Sequence, residues 1–119
     1  MGIYDEFDKR REKGNRRISG ESYLPFNRFM ALDTKCYEGG AVPGKFKELA
    51  GLSASAVLRC NDCILYHIRT AKDAGASRQE IIETLNIALV VGGSVVIPHL
   101  RFALEAVNEL YGEVNDQDA

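Results

Sequence analysis

Apolar positions along the 119-residue chain recur mostly at the three- and four-residue spacing of helices. Ile3, Tyr4 and Phe7 give one weak apolar edge to a charged opening segment. That pattern predicts a short helix over about Tyr4–Lys13, then a loop from Gly14 to Gly20. Pro25 suits a first helical turn. Phe26, Phe29 and Met30 then share a face, which predicts a helix over about Pro25–Tyr37, stopped by Gly39 and Gly40. After Pro43, the residues Phe46, Leu49, Ala50, Ala56 and Val57 predict a helix over Gly44–Arg59, with Gly51 and Ser53 as the place where it bends or breaks. The next helix is predicted over about Cys60–Ala74, with Ile64, His67, Ile68 and Ala71 facing inward and Arg69, Lys72 and Asp73 outward. Ser77-Arg78-Gln79-Glu80 reads as a capping box opening a helix over Gln79–Val91, broken at Gly92-Gly93. A last helix is predicted over Ser94–Leu110, with Val96, Leu100, Ala103, Leu104, Val107 and Leu110 as its stripe; Pro98 is tolerable near its start.

These elements predict a compact all-α fold and a single domain over residues 1–119. Its core spans about 43–111, with a helical N-terminal extension over 1–40 and a frayed acidic tail over 112–119. The two helices of the second half are more apolar than a small monomer can hide, so a homo-oligomer is expected.

Composition narrows the function classes. Apolar residues make up 45% of the chain and the net charge is −2, which permits a packed core and selects no nucleic acid or other polyanion as partner. No unbroken run of about 18 apolar residues predicts a membrane span. The opening Met1-Gly2-Ile3-Tyr4-Asp5-Glu6 lacks the apolar stretch of a secretory signal, so a cytoplasmic location is expected. The basic residues Arg10, Arg11, Lys13, Arg16 and Arg17 are interleaved with acids and read as a solvated or subunit-bridging face. Three cysteines with one close pair do not form a secreted disulfide framework. Cys36 reads as a semi-buried, inert thiol.

The chemistry concentrates in Cys60-Asn61-Asp62-Cys63-Ile64-Leu65-Tyr66-His67, a C-x-x-C-x-x-x-H pattern. On a helix, Cys60, Cys63 and His67 share one face. Three readings compete: two core cysteines with a satisfied histidine, a zinc site, or a redox dithiol. Zinc accepts Cys, His and carboxylate ligands, but three ligands on one helix with no second pair make poor tetrahedral geometry. A dithiol at a helix N-terminus is favoured, because the macrodipole and free N–H groups stabilise thiolate there. A thiolate that attacks a peroxide becomes a sulfenic acid, which a second thiol converts to a disulfide. From spacing alone, Glu48 is an exposed helix glutamate with Lys45 as its basic neighbour. Tyr66 points off the Cys60/Cys63/His67 face and reads as packing. His99 reads as a capping or interface histidine, with a place in the same pocket as the alternative.

Residues from about Phe46 to Leu110 resemble the carboxymuconolactone decarboxylase family, and within it the alkyl hydroperoxidase D branch. The resemblance is carried by Glu48 twelve residues before Cys60, by C-x-x-C-x-x-x-H, and by Ala74-Gly75-Ala76-Ser77-Arg78-Gln79-Glu80-Ile81. It implies an all-helical fold assembled as trimers or hexamers. It also implies a thiol-dependent peroxidase or disulfide oxidoreductase that needs no cofactor and no metal. In that reading Cys63 attacks the hydroperoxide, His67 is its base, and Cys60 resolves and exchanges. Glu48 relays protons near Cys60. The electron donor would be a thiol or dithiol, such as a lipoyl or thioredoxin-like protein. Asp62 stands where the family commonly has a histidine; it would raise the thiol pKa or join the relay. Twelve residues on one straight helix leave Glu48 about 120° from Cys60, so a break is required, expected between Gly51 and Ser55. Two alternatives remain: a non-enzymatic zinc-binding or redox-sensing oligomer, and a lactone decarboxylase, whose branch lacks the cysteine pair.

Overall fold

A computed structural model describes residues 2–113. Six helices follow one another: α1 (Ile3–Gly20), α2 (Leu24–Cys36), α3 (Gly44–Val57), α4 (Asn61–Asp73), α5 (Arg78–Gly92) and α6 (Ile97–Tyr111). A 3₁₀ turn, Gly93–Val96, links the last two. The fold is all-α, with no strand among the described residues. Of the tail expected to fray, residues 114–119 lie outside the described residues.

The core lies where α3, α4, α5 and α6 meet. Leu52, Ile64, Ile68, Ile81, Leu85, Ala103 and Val107 are buried there. Ile64, Ile68 and Ala71 occupy one face of α4, as their spacing predicts. The capping box is present in full: Ser77 accepts from the Glu80 N–H while Glu80 accepts from the Ser77 N–H, so two donors at the start of α5 are satisfied.

Three boundaries differ from expectation. Helix α1 does not stop at Lys13 but runs to Gly20. Gly14 has open space around it, no proline intervenes, and a Glu12–Arg16 pair supports the added turns. The chain turns only at Ser22, at φ 51°. Helix α3 passes unbroken through Gly51–Ser55. Its break falls at Leu58–Cys60, where Arg59 adopts φ 60°. There the Cys60 N–H bonds the Ser55 carbonyl and the Arg59 N–H bonds the Ala56 carbonyl, which is a Schellman ending with arginine in the place glycine usually takes. The predicted last helix begins as the 3₁₀ turn, because Gly93 lies at φ 78°.

The stretch Arg78–Tyr111 is long and apolar enough, by length and composition only, to cross a membrane, although polar residues interrupt it before any unbroken apolar run of about 18 residues. It bends at Gly93, and its Ile81, Leu85, Val96, Ala103 and Val107 belong to the protein core.

Helix α1 lies across α4. Tyr4 and Phe7 are buried, and the Tyr4 hydroxyl donates to the Leu65 carbonyl at 2.7 Å. The Glu109 carboxylate accepts the Ile3 and Tyr4 N–H groups at 2.8 and 3.0 Å, so a residue of α6 caps the start of α1. Arg69 was expected to face outward; it pairs with Asp8 at 2.7 Å and lies over the Tyr4 and Phe7 rings.

Candidate functional site

The Schellman ending of α3 delivers Cys60 to the start of α4. Cys60 is not inside that helix but is its N-cap, and its sulfur accepts the Cys63 N–H at 3.3 Å. Both sulfurs therefore sit at the positive end of the helix, an environment that favours thiolate once they are reduced. Cys60 and Cys63 are joined as a disulfide, with Cα atoms 5.3 Å apart. The cysteine stripe does not face inward throughout. Cys60 is half-buried and Cys63 exposed, whereas Ile64, His67 and Ile68 further along are buried. The stripe leaves the core where the sulfurs begin.

One turn beyond Cys63, His67 is only 7% exposed and meets Glu48 of α3. The spacing-only reading of Glu48 as an exposed glutamate is wrong: it is 8% exposed. It lies four and seven residues before Leu52 and Ser55, on the buried face of α3. A buried carboxylate requires partners, and Glu48 has two. Its Oε2 accepts from His67 Nδ1 at 2.8 Å and from the Thr70 hydroxyl at 2.6 Å. A carboxylate acceptor makes Nδ1 the donor, and in a neutral imidazole Nε2 then holds the lone pair. Glu48 thus bonds His67 rather than standing beside Cys60.

Gly51 makes this approach possible. A Cβ there would fall 2.7 Å from His67 Cε1 and 2.9 Å from Nε2. The glycine read as a kink is in fact the floor on which the imidazole rests. Tyr37, just past α2, places its hydroxyl 3.4 Å from Nε2. Burial pushes the Tyr37 phenol above its ordinary value, so it stays a donor.

Cys63 and His67 open onto one cavity of about 480 Å³. Helix α1 walls its other side with Phe7, Arg10, Arg11 and Ile18. The basic cluster is therefore not merely solvated: Arg10 pairs with Asp62 at 2.6 Å, and Arg11 lies over the Tyr66 ring. His99 is not in this cavity; its Nδ1 lies 2.8 Å from the Asn61 side-chain oxygen, at the first residue of α4. Cys36 is a free and exposed thiol, not a semi-buried one. Among the described residues, no group of three or more His, Cys, Asp or Glu side chains is placed to hold a metal ion.

Sequence reasoning missed Thr70, Tyr37 and Arg10. Thr70 carried a signal, since it lies three residues after His67 on the same helical face. Tyr37 and Arg10 reach the site from 30 and 52 residues away, and no local pattern marks them.

A disulfide-joined cysteine pair at a helix N-terminus thus stands beside a buried Glu–His pair inside an all-helical core. Comparison with known proteins gives the family. The chain belongs to the carboxymuconolactone decarboxylase family, whose model matches residues 25–109. A solved carboxymuconolactone decarboxylase family protein from Thermotoga maritima is 50% identical, with a TM-score of 0.83 over 88% of this chain and 89% of that one. A family member from Legionella pneumophila is 26% identical, with a TM-score of 0.82 over 92% of this chain and 97% of that one. An alkyl hydroperoxide reductase AhpD from Mycolicibacterium paratuberculosis is 31% identical over 64% of this chain, and the match spans 57% of that relative.

Proposed function

We propose that the protein is a thiol-dependent peroxidase using Cys60 and Cys63 as a redox pair. One observation carries this reading: Cys63 shares a cavity with His67, whose Nδ1 is bonded to the buried Glu48. In the reduced protein, the Tyr37 hydroxyl turns away from His67 Nε2, which takes the Cys63 proton. The thiolate attacks the terminal side of the O–O bond of a hydroperoxide, giving a Cys63 sulfenic acid and an alkoxide. His67 returns its proton to the alkoxide, which leaves as the alcohol. Cys60 then attacks the sulfenic sulfur, releasing water and forming the disulfide seen here. A dithiol donor, a lipoyl or thioredoxin-like protein or a small thiol, restores both thiols and leaves as its own disulfide.

The assignment of Cys63 as attacking thiol rests on its place in the cavity wall, which Cys60 does not share. Glu48 fixes the tautomer of His67, and Asp62 and His99 act from outside the reacting group. The AhpD relative and the Thermotoga maritima protein, named as a candidate for involvement in an antioxidative response, point the same way. The protein is further proposed to act in the cytoplasm as a homo-oligomer. None of the residues of α2 is buried, and Phe29 and Leu32 of that helix are 67% and 68% exposed. Ile87, Val90 and Val91 are exposed at the end of α5.

The test uses reduced Cys36→Ser protein mixed with one equivalent of an organic hydroperoxide, following peroxide loss and intact mass. Stoichiometric consumption with loss of two hydrogens is expected. Cys63→Ser should consume none, and equal consumption by that variant would overturn the assignment.

A further inference from the structure

Asp62 places a carboxylate directly before Cys63, at the second position of α4. An unpaired carboxylate there would repel a Cys63 thiolate and disfavour it. The structure gives it a partner from outside the matched family region: Arg10 of α1 donates from Nη2 to Asp62 Oδ1 at 2.6 Å. Arg10 is delivered there by contacts that do not involve the dithiol. Its helix is capped by Glu109, buried through Tyr4 and Phe7, and tied to α4 by Asp8–Arg69. Arg10 then follows Phe7 by three residues on the same face and lines the cavity with Cys63.

We propose that Arg10 is a positioning residue that acts through Asp62: it neutralises the carboxylate beside Cys63 and so keeps that sulfur a thiolate at neutral pH. The inference rests on Cys63 being the reactive thiol. The charged and titratable groups around the cavity divide by element. Helix α1 gives Arg10 and Arg11, and α2 gives Asp33. Helix α4 gives Asp62, Tyr66 and His67, with Glu48 of α3 and Tyr37 behind the imidazole. Of these, only the Arg10–Asp62 pair joins α1 to the residue next to Cys63. Arg11 lies over Tyr66 instead.

The experiment isolates Cys63 in the full chain as Cys36→Ser/Cys60→Ser, in which serine retains an N-cap side chain. Alkylation by iodoacetamide is followed against pH, with no peroxide present. Arg10→Gln should raise the midpoint and slow alkylation at pH 7 by about threefold to fivefold, the scale of one unit-charge contact near water. Asp62→Asn should move the midpoint the other way, and Arg10→Gln/Asp62→Asn should return within about twofold of the parent. Added salt should shrink both shifts. Docking of α1 alone predicts a different pattern, because each single change breaks the same ion pair and both would then shift alike. Shifts of the same sign, or an unchanged midpoint in folded Arg10→Gln protein, would overturn the proposal. Site-resolved alkylation of Cys36→Ser protein with both thiols present gives a second reading should Cys60→Ser fold poorly. A protein that alkylates as expected yet consumes no peroxide would refute the peroxidase reading and leave the Arg10–Asp62 proposal standing.

Discussion

Replacing Glu48 by glutamine removes a buried charge while keeping nearly the same shape. In the native chain Oε2 accepts two hydrogen bonds, from His67 Nδ1 at 2.8 Å and Thr70 Oγ1 at 2.6 Å. Hydrogen bonds to a charged partner contribute about 1.5–3 kcal/mol each, and glutamine retains one acceptor oxygen to share between two donors. A stability loss of about 1–3 kcal/mol is therefore expected. The kinetic effect should be larger. Glutamine can also turn its NH₂ toward the ring, which forces the proton onto Nε2 and leaves no lone pair for the Cys63 proton. General-base assistance is worth about 10²–10⁴-fold, so a loss of about 10²-fold, or about 2.7 kcal/mol, is a conservative expectation. The assay is stopped-flow peroxide consumption by reduced Cys36→Ser protein under single-turnover conditions, with a thermal melt by circular dichroism beside it. Glu48→Asp, which keeps the charge on a shorter arm, should fall between parent and Glu48→Gln. A folded Glu48→Gln protein reacting within about threefold of the parent would refute the tautomer argument.

Gly51→Ala should displace the imidazole, because its Cβ would fall 2.7–3.0 Å from three ring atoms of His67. About 1–3 kcal/mol of stability and most of the peroxide rate should go with it, whereas Gly14→Ala, with nothing within 4 Å, should stabilise α1 by about 0.5–1 kcal/mol and leave the rate unchanged; melts and rates on both variants check this. Burial pushes the Tyr4 phenol above its ordinary value of 10.0. A folded-state pKa above the unfolded one contributes stability below pH 10 that is lost as pH rises beyond it. Tyr4→Phe should cost about 1 kcal/mol at neutral pH, through the lost bond to the Leu65 carbonyl, and should flatten the alkaline fall of the melting temperature. An equally steep fall in the variant would count against this account.

Helix count, the inward face of α4 and the capping box were legible because each depends on residues within a turn or two of one another. The helix break was not. Gly51 looked like the breaker because glycine usually is one, yet its missing Cβ serves the neighbouring helix, and Arg59 takes the left-handed residue. The burial of Glu48 was legible in principle. Leu52, Ser55 and Ala56 follow it on one helical stripe, and looking only for a basic partner at i+4 missed that its partner lies on another helix. The reach of α1 was not legible either. Its apolar edge predicts contact through Tyr4 and Phe7, but nothing local says that the next turn delivers Arg10 to Asp62.

The excess apolar surface follows the same logic of local and distant information. Sequence placed it in the last two helices, but the α6 stripe turned inward, with Ala103, Ala106 and Val107 fully buried. Among the described residues, the exposed large apolar side chains include the end of α5 and nearly the whole apolar face of α2, with Val42, Phe46, Leu58 and Val95 besides. That helix is 13 residues long and buries none of them. Helices of this length are marginal in water without packing. Its C-terminal end is held by Lys47, which donates to the Cys36 and Glu38 carbonyls, and by Tyr37 against His67. The contact that anchors α2 is thus the contact that reaches the His67 ring. A second copy covering Phe29 and Leu32 would fix α2, and through Tyr37 would fix the imidazole proposed as the base for Cys63. In the proposed homo-oligomer, assembly and thiol chemistry would be coupled at that one tyrosine, which links the exposed apolar helix to the buried Glu48–His67 pair.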